Sequence, residues 1–175
     1  MIVEIKRISP ADKASLRQWR NDPAVSKWMY TNHEIGEDEH NAWFDAMLAD
    51  TSKVYWKIVV DGISVGAIFL TGISGAEKSC EWGIYLADVD VRGKGVAQAA
   101  CALSLQFAFT DLGMEAVKCE AVAQNDIAIG LYESVGYVRT GAKADAVKRG
   151  DEMLSVVTLE LTRESWKSRE PQVLQ

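Results

Sequence analysis

Arg92-Gly93-Lys94-Gly95-Val96-Ala97-Gln98 stands between a strand-like run, Cys80 to Leu86, and an apolar helical run from Ala97 to Leu112. A strand, a glycine turn and a helix start make a cradle for phosphate. Glycines let the backbone approach an anion closely, successive N–H groups point into the concavity, and the positive end of the helix dipole faces the charge. The stretch predicts a ligand with a pyrophosphate. Two familiar glycine loops fail on spacing. The nucleoside-triphosphatase loop needs Ser or Thr after Gly-Lys, where this chain has Gly95. The dinucleotide fingerprint needs a small residue where this chain has Gln98, and no acidic ribose partner is obvious downstream.

A second pattern lies downstream, in Gln124-Asn125-Asp126-Ile127-Ala128-Ile129-Gly130-Leu131-Tyr132-Glu133-Ser134-Val135-Gly136-Tyr137. Asn125 is a good helix cap and Gly136 a good residue just past a helix end. The step from Asn125 to Tyr132 is about two helical turns, which puts both on one face. Arg92-x-x-Gly95-x-Ala97 and Asn125-x-x-Ala128-x-x-Leu131-Tyr132-x-x-x-Gly136-Tyr137 together resemble the signatures of the GNAT acetyltransferases, which hold acetyl-coenzyme A. The resemblance implies an α/β GNAT fold: a mixed central sheet of about seven strands, flanked by about four helices and splayed between the fourth and fifth strands. It also implies that Leu86, Ala87, Val89, Val91, Arg92, Gly93, Lys94, Gly95, Val96, Ala97, Asn125 and Tyr132 line acetyl-coenzyme A, with no metal.

Composition fits one enzyme domain. A chain of 175 residues, 48% apolar and 25% charged, is long enough to bury a full core. Its formal net charge of −6 argues against a nucleic-acid surface, while leaving room for a local basic groove around a phosphorylated ligand. Cys80, Cys101 and Cys119 are scattered without a Cys-x-x-Cys, so neither a disulfide framework nor a zinc site is expected. The start, Met1-Ile2-Val3-Glu4-Ile5-Lys6, lacks the basic-then-apolar order of a signal peptide, and no charge-poor run is long enough to span a bilayer. The expectation is a cytoplasmic enzyme.

The order of elements supports the resemblance. Ile2 to Ile8 alternates like a strand, and Ser9-Pro10-Ala11-Asp12 opens a helix through about Arg20, stopped by Asn21-Asp22-Pro23. A helix from about Glu37 to Ala49 stacks His40, Trp43, Phe44 and Met47 at helical spacing. Strands Val54 to Val60 and Ile63 to Leu70 flank Asp61-Gly62, a tight-hairpin dipeptide. After the cradle and its helix come a strand from Lys118 to Ala123, the Asn125 helix, and strands near Tyr137 to Thr140 and Met153 to Leu161. Residues 1–161 are read as a single GNAT domain, and 162–175 as a polar, frayed C-terminal tail. The basic cluster Lys143, Lys148 and Arg149 falls on a solvated connection near the last hairpin.

Acyl transfer to an amine needs an unprotonated amine, donors for the developing oxyanion and a proton for the departing thiolate. Tyr132 is the expected proton donor, since a phenol keeps its proton at neutral pH. Backbone N–H groups near Tyr85 to Ala87 are expected to polarise the thioester carbonyl. Glu120 and Glu81 are the candidate bases. Alternation does not decide which way Glu81 points, and an amine flanked by electron-withdrawing groups can also lose its proton to bulk water.

A further resemblance concerns the acceptor. Trp19-Arg20-Asn21-Asp22-Pro23, Trp28-Met29-Tyr30, Glu39-His40 with Trp43-Phe44, and Ser79-Cys80-Glu81-Trp82-Gly83-Ile84-Tyr85 look like the PseH/FlmH acetyltransferases. Those enzymes acetylate the 4-amino group of a UDP-linked 4-amino-4,6-dideoxy sugar in pseudaminic acid biosynthesis for flagellin glycosylation. The resemblance implies Arg20, Met29, Tyr30, His40, Trp43, Tyr85 and Glu120 around the sugar nucleotide; a homodimer is left open. Aromatic faces suit uracil and cations suit a diphosphate. By helical spacing alone, beside Phe44 and Met47, Trp43 reads more readily as core. Ribosomal-protein N-terminal and polyamine acetyltransferases of the same superfamily remain alternatives, as does a non-catalytic binding module.

Overall fold

The computed structural model describes residues 1–169. Seven strands form one sheet in the order β1-β2-β3-β4-β5-β7-β6. They are β1 Val3–Arg7, β2 Val54–Val60, β3 Ile63–Ser74, β4 Ser79–Leu86, β5 Ala116–Val122, β6 Val138–Arg149 and β7 Glu152–Thr162. Every pairing is antiparallel except β4 with β5, which is parallel. The β2–β3 hairpin turns on Asp61 and Gly62, both at positive φ (48° and 88°), the backbone that a tight two-residue turn demands.

Among the described residues six α-helices flank the sheet: α1 Lys13–Asn21, α2 Pro23–Ser26, α3 Glu37–Ala49, α4 Val96–Gln106, α5 Asp126–Val135 and α6 Arg163–Arg169. Two of them exceed the sequence expectation. The first is α2, which begins at the proline read as a stop. Asp22 accepts from the Ala24 N–H at 2.8 Å and so caps a new helix after ending α1. The second is α6, where only a polar tail was expected. Its Trp166 stacks on Phe109 with centroids 5.1 Å apart. The end of the expected tail, 170–175, lies outside the described residues.

The main core lies between α4, α5 and the sheet, around Phe109, Leu105, Val117 and Leu159. A smaller cluster of Ile8, Leu16, Phe44 and Met47 joins α1 and α3 to β1. Directly after α4 the chain widens to a π turn, Phe107–Asp111, with Leu112 N–H reaching Phe107 O at 3.0 Å. β6 is much longer than Tyr137 to Thr140. The basic cluster therefore lies on a strand, with Lys143 paired to Val156 and Arg149 to Glu152.

Candidate active site

The parallel pairing of β4 and β5 covers only Ser79 to Glu81 against Ala116 to Lys118. Beyond Glu81 the strands part, which is the splay expected between the fourth and fifth strands. A cavity of about 1450 Å³ fills the gap. Pockets for a single small ligand run to about 1,000 Å³, so this one has room for two substrates.

One wall is the cradle. Gly93 and Gly95 sit at φ 72° and 80°, where L side chains rarely go, and an added Cβ at either would meet nothing within 4 Å. The concavity is open and its backbone needs glycine. Arg92, Gly93, Gly95, Val96, Ala97 and Gln98 line the cavity where α4 begins. This geometry fits a pyrophosphate. Lys94 is exposed at the turn, and Val89 and Val91 do not reach the cavity: Val89 is exposed and Val91 packs on the main core. Arg92 has a different local role, because its Nη2 donates to Leu86 O at 2.7 Å and to Ala24 O at 3.4 Å. Ala87 also departs from expectation. Its N–H donates to Val65 O at 2.8 Å, so it is not free to polarise a carbonyl, whereas the inner edge of β4 from Trp82 to Leu86 has no strand partner on the β5 side.

The second wall is α5. Asn125 caps it, accepting from the Ala128 N–H at 3.2 Å, and both Asn125 and Tyr132 line the cavity. The Tyr132 ring is wedged edge-on against Trp82, centroids 5.1 Å apart, and Trp82 is held by its own bond from Nε1 to Ser104 Oγ at 3.1 Å. Burial, with Cys119 and Cys101 close by, raises the phenol's pKa above its ordinary value, so Tyr132 keeps its proton at any working pH. Cys80, Cys101 and Cys119 are buried and free, and burial pushes the Cys80 thiol up to about 11. Burial thus keeps these side chains in the thiol form, the less nucleophilic one.

The floor is built from β4 and β5. Buried Cys80 and Trp82 flank exposed Glu81; buried Val117, Cys119 and Ala121 alternate with exposed Lys118 and Glu120. Glu81, Lys118 and Glu120 therefore share the cavity face, and Glu81 with Lys118 is the last β4–β5 pair before the strands part. The Tyr30 hydroxyl donates to Glu120 Oε1 at 2.5 Å. Burial and the Glu120 carboxylate both raise the Tyr30 pKa. Arg20, Met29, Tyr85 and Leu86 also line the cavity. The Arg20 Nε is buried without a hydrogen-bond partner among the described residues.

His40 and Trp43 are not brought to this cavity. His40 is 3% exposed, and its Nε2 bonds to Lys13 O at 2.8 Å. A carbonyl only accepts, so Nε2 carries the proton. Trp43 packs edge-on against Tyr55 at 5.7 Å, and it is Tyr55, stacked on Phe69 at 4.7 Å, that lines the cavity. Tyr55, Phe69 and Lys118 escaped the sequence reading, and Lys143, read as part of a solvated connection, lines the cavity. For Tyr55 and Phe69 the available signal is their direct pairing across the hairpin.

Burial holds the His40 imidazole below its ordinary pKa, so the unfolded chain binds the proton more readily. This contribution to stability is complete above about pH 6.5 and is lost as pH falls below it. Urea midpoints measured from pH 7 down to pH 5 are expected to fall more steeply in the native chain than in His40→Gln. Equal slopes would assign the acid sensitivity elsewhere.

A split sheet with a glycine cradle on one arm and a buried tyrosine on the other defines an acetyltransferase of the GNAT type. Residues 3–138 match the family model for the acetyltransferase (GNAT) domain, and the chain belongs to that family. Its relatives include acetyltransferase PseH of Campylobacter jejuni, 29% identical over 135 residues that cover 75% of this chain and 82% of the relative. The putative ribosomal N-acetyltransferase YdaF of Bacillus subtilis is 22% identical, covering 94% of this chain and 93% of that one. A spermidine N-acetyltransferase from Vibrio cholerae, solved with CoA and spermine, shares the fold with a TM-score of 0.86 at 17% identity, over 94% of this chain and 98% of that chain. GNAT acetyltransferases use acetyl-coenzyme A. Among the described residues, no cluster of three or more His, Cys, Asp or Glu is placed to hold a metal, and no helix is long and apolar enough to cross a membrane.

Proposed function

We propose that this enzyme transfers an acetyl group from acetyl-coenzyme A to the amine of a UDP-linked 4-amino-4,6-dideoxy sugar, the reaction implied by its resemblance to the PseH/FlmH enzymes. The observation that carries this reading is the charge of the cavity. Five cations, Arg20, Lys27, Arg92, Lys118 and Lys143, line it against three carboxylates, Glu81, Glu120 and Glu160, in a chain of net charge −6. A local excess of cations suits two anionic substrates, coenzyme A and a sugar nucleotide. Arg20 supports the reading further, since a guanidinium nitrogen buried without a partner is costly unless a ligand meets it. The Tyr55–Phe69 stack supplies the aromatic face that His40 and Trp43 do not.

The residues divide the work. The amides from Gly93 to Ala97 and the start of α4 hold the pyrophosphate of acetyl-coenzyme A, which when bound supplies an activated acyl group on a thiolate leaving group. Free groups on the inner edge of β4 face the position of the thioester carbonyl. Glu120, steadied through one oxygen by Tyr30, offers the other to the acceptor ammonium, with Glu81 on the same floor as the second candidate. Tyr132 donates its proton to the departing thiolate.

One observation favours a second reading. Glu81, Glu120 and Glu160 share the cavity, and carboxylates are what a polyamine acceptor would use. Acetyl-coenzyme A consumption measured in parallel against a UDP-4-amino-4,6-dideoxy sugar, spermidine and a ribosomal-protein N-terminal peptide separates the readings. The sugar nucleotide is expected to lead in kcat/KM by at least about 100-fold. Turnover of spermidine or the peptide with none of the UDP sugar overturns the proposal.

A further inference from the structure

Tyr30 reaches Glu120 from a segment with little structure of its own. After the four-residue α2, the chain makes a single turn, in which Trp28 N–H bonds to Val25 O at 3.3 Å and Met29 N–H to Ser26 O at 3.0 Å. The carbonyls at the end of so short a helix have few intrahelical partners. A residue far along the chain supplies them: Arg149, at the end of β6, donates from Nη1 to Lys27 O at 2.9 Å and from Nη2 to Ser26 O at 3.3 Å. Beside it, Asn32 lies so close to Gly150 that its amide nitrogen would stand 2.2 Å from a Cβ added there. The tip of the β6–β7 hairpin thus bonds to the start of the segment that carries Trp28, Met29 and Tyr30, and lies against its far end at Asn32. Arg149 itself does not line the cavity.

We propose that Arg149 is a positioning residue for the acceptor: by clamping the Ser26 and Lys27 carbonyls it holds the 27–31 segment over the sheet and keeps Tyr30 on Glu120. The chemistry suits the task. A guanidinium presents two donors in a fixed fork, so it can bind two successive carbonyls at once, which a lysine ammonium on a flexible stem does less well. The cation also sits at the negative end of α2, where its charge is favourable. Ser26 O is shared between Arg149 and the Met29 N–H, so loosening the clamp loosens the turn that sets Tyr30. The proposal rests on the reading that the acceptor binds beneath this segment, and not on which acceptor it is.

Arg149→Ala and Arg149→Lys test it. In the alanine variant, hydrogen exchange at the Trp28 and Met29 amides is expected to speed up about tenfold or more, while the α4 and α5 amides exchange as before. The KM for the UDP-4-amino sugar is expected to rise about tenfold, the size of one charge-assisted hydrogen bond. The KM for acetyl-coenzyme A should hold, because the cradle at the start of α4 does not touch this segment. The lysine variant should fall between, and Arg149→Ala combined with Tyr30→Phe should cost less than the sum of the two, because both act through one contact. Unchanged exchange at Trp28 and Met29 overturns the proposal whatever the acceptor. Faster exchange with an unchanged acceptor KM, or with an equal rise in the acetyl-coenzyme A KM, overturns it too. If spermidine proves to be the acceptor, the same KM comparison is made with spermidine. In that case the sugar-nucleotide reading falls, while Arg149 is judged as before.

Discussion

Tyr132→Phe is expected to lower kcat by about 10²–10⁴-fold, the usual worth of a positioned general acid, with acetyl-coenzyme A affinity changed less than twofold. The separation follows from how the ring is held. Its packing on Trp82 and Tyr137 does not involve the hydroxyl, which makes no hydrogen bond to any described residue, so removing the oxygen leaves the wall in place. Because burial raises the phenol's pKa, Tyr132 is expected to keep its proton as the medium turns alkaline, and the alkaline limb of a pH–rate profile should be unchanged in form in Tyr132→Phe. Single-turnover kinetics isolate the chemical step. A fall in kcat of less than twofold under those conditions would make Tyr132 a packing residue only.

Gly95→Asp is expected to weaken acetyl-coenzyme A binding by more than about 100-fold while leaving the fold intact. Two effects add. A side chain at φ 80° carries backbone strain of about 1 kcal/mol or more, and a carboxylate in a phosphate cradle repels the ligand through the same amides that should bind it. Gly95→Ala separates them, since it adds the strain without the charge and has open space for its Cβ. Calorimetric titration should rank the native chain above Gly95→Ala and both far above Gly95→Asp. Equal affinity in all three would remove the pyrophosphate from this turn.

The parts of the fold legible in the sequence were those where a local signal and the final structure agree. The α3 boundaries, the Asp61-Gly62 hairpin and the Asn125 cap were readable because turn chemistry and helix periodicity do not depend on distant partners. The splay between β4 and β5 came from family resemblance, and nothing in the residues themselves announces where a parallel pairing stops. His40 and Trp43 show the limit of spacing. A helix face at one period fits a substrate clamp and a core equally well, and here the face packs on Leu16, Phe44 and Tyr55. β6 was underestimated because only small alanines, Ala142 and Ala144, alternate with Lys143 and Asp145, and the strand is exposed along nearly its whole length, so its strand character comes from pairing with β7. α2 was missed because Asp22-Pro23 is both an ending and a beginning, and the helix that follows is too short to show a period.

A sheet that parts in the middle has four edges instead of two. Besides the outer strands β1 and β6, the stretches Trp82–Leu86 of β4 and Cys119–Val122 of β5 each show an inner row of amides and carbonyls with no strand alongside. Such rows template unwanted pairing with other chains when they are long, flat and apolar. Here each is short, each is flanked by α5 or the α2 segment, and Glu81 and Glu120 put charge beside the gap. The same opening thus leaves two inner edges, and the charge set beside each is the kind of feature that discourages pairing with another chain.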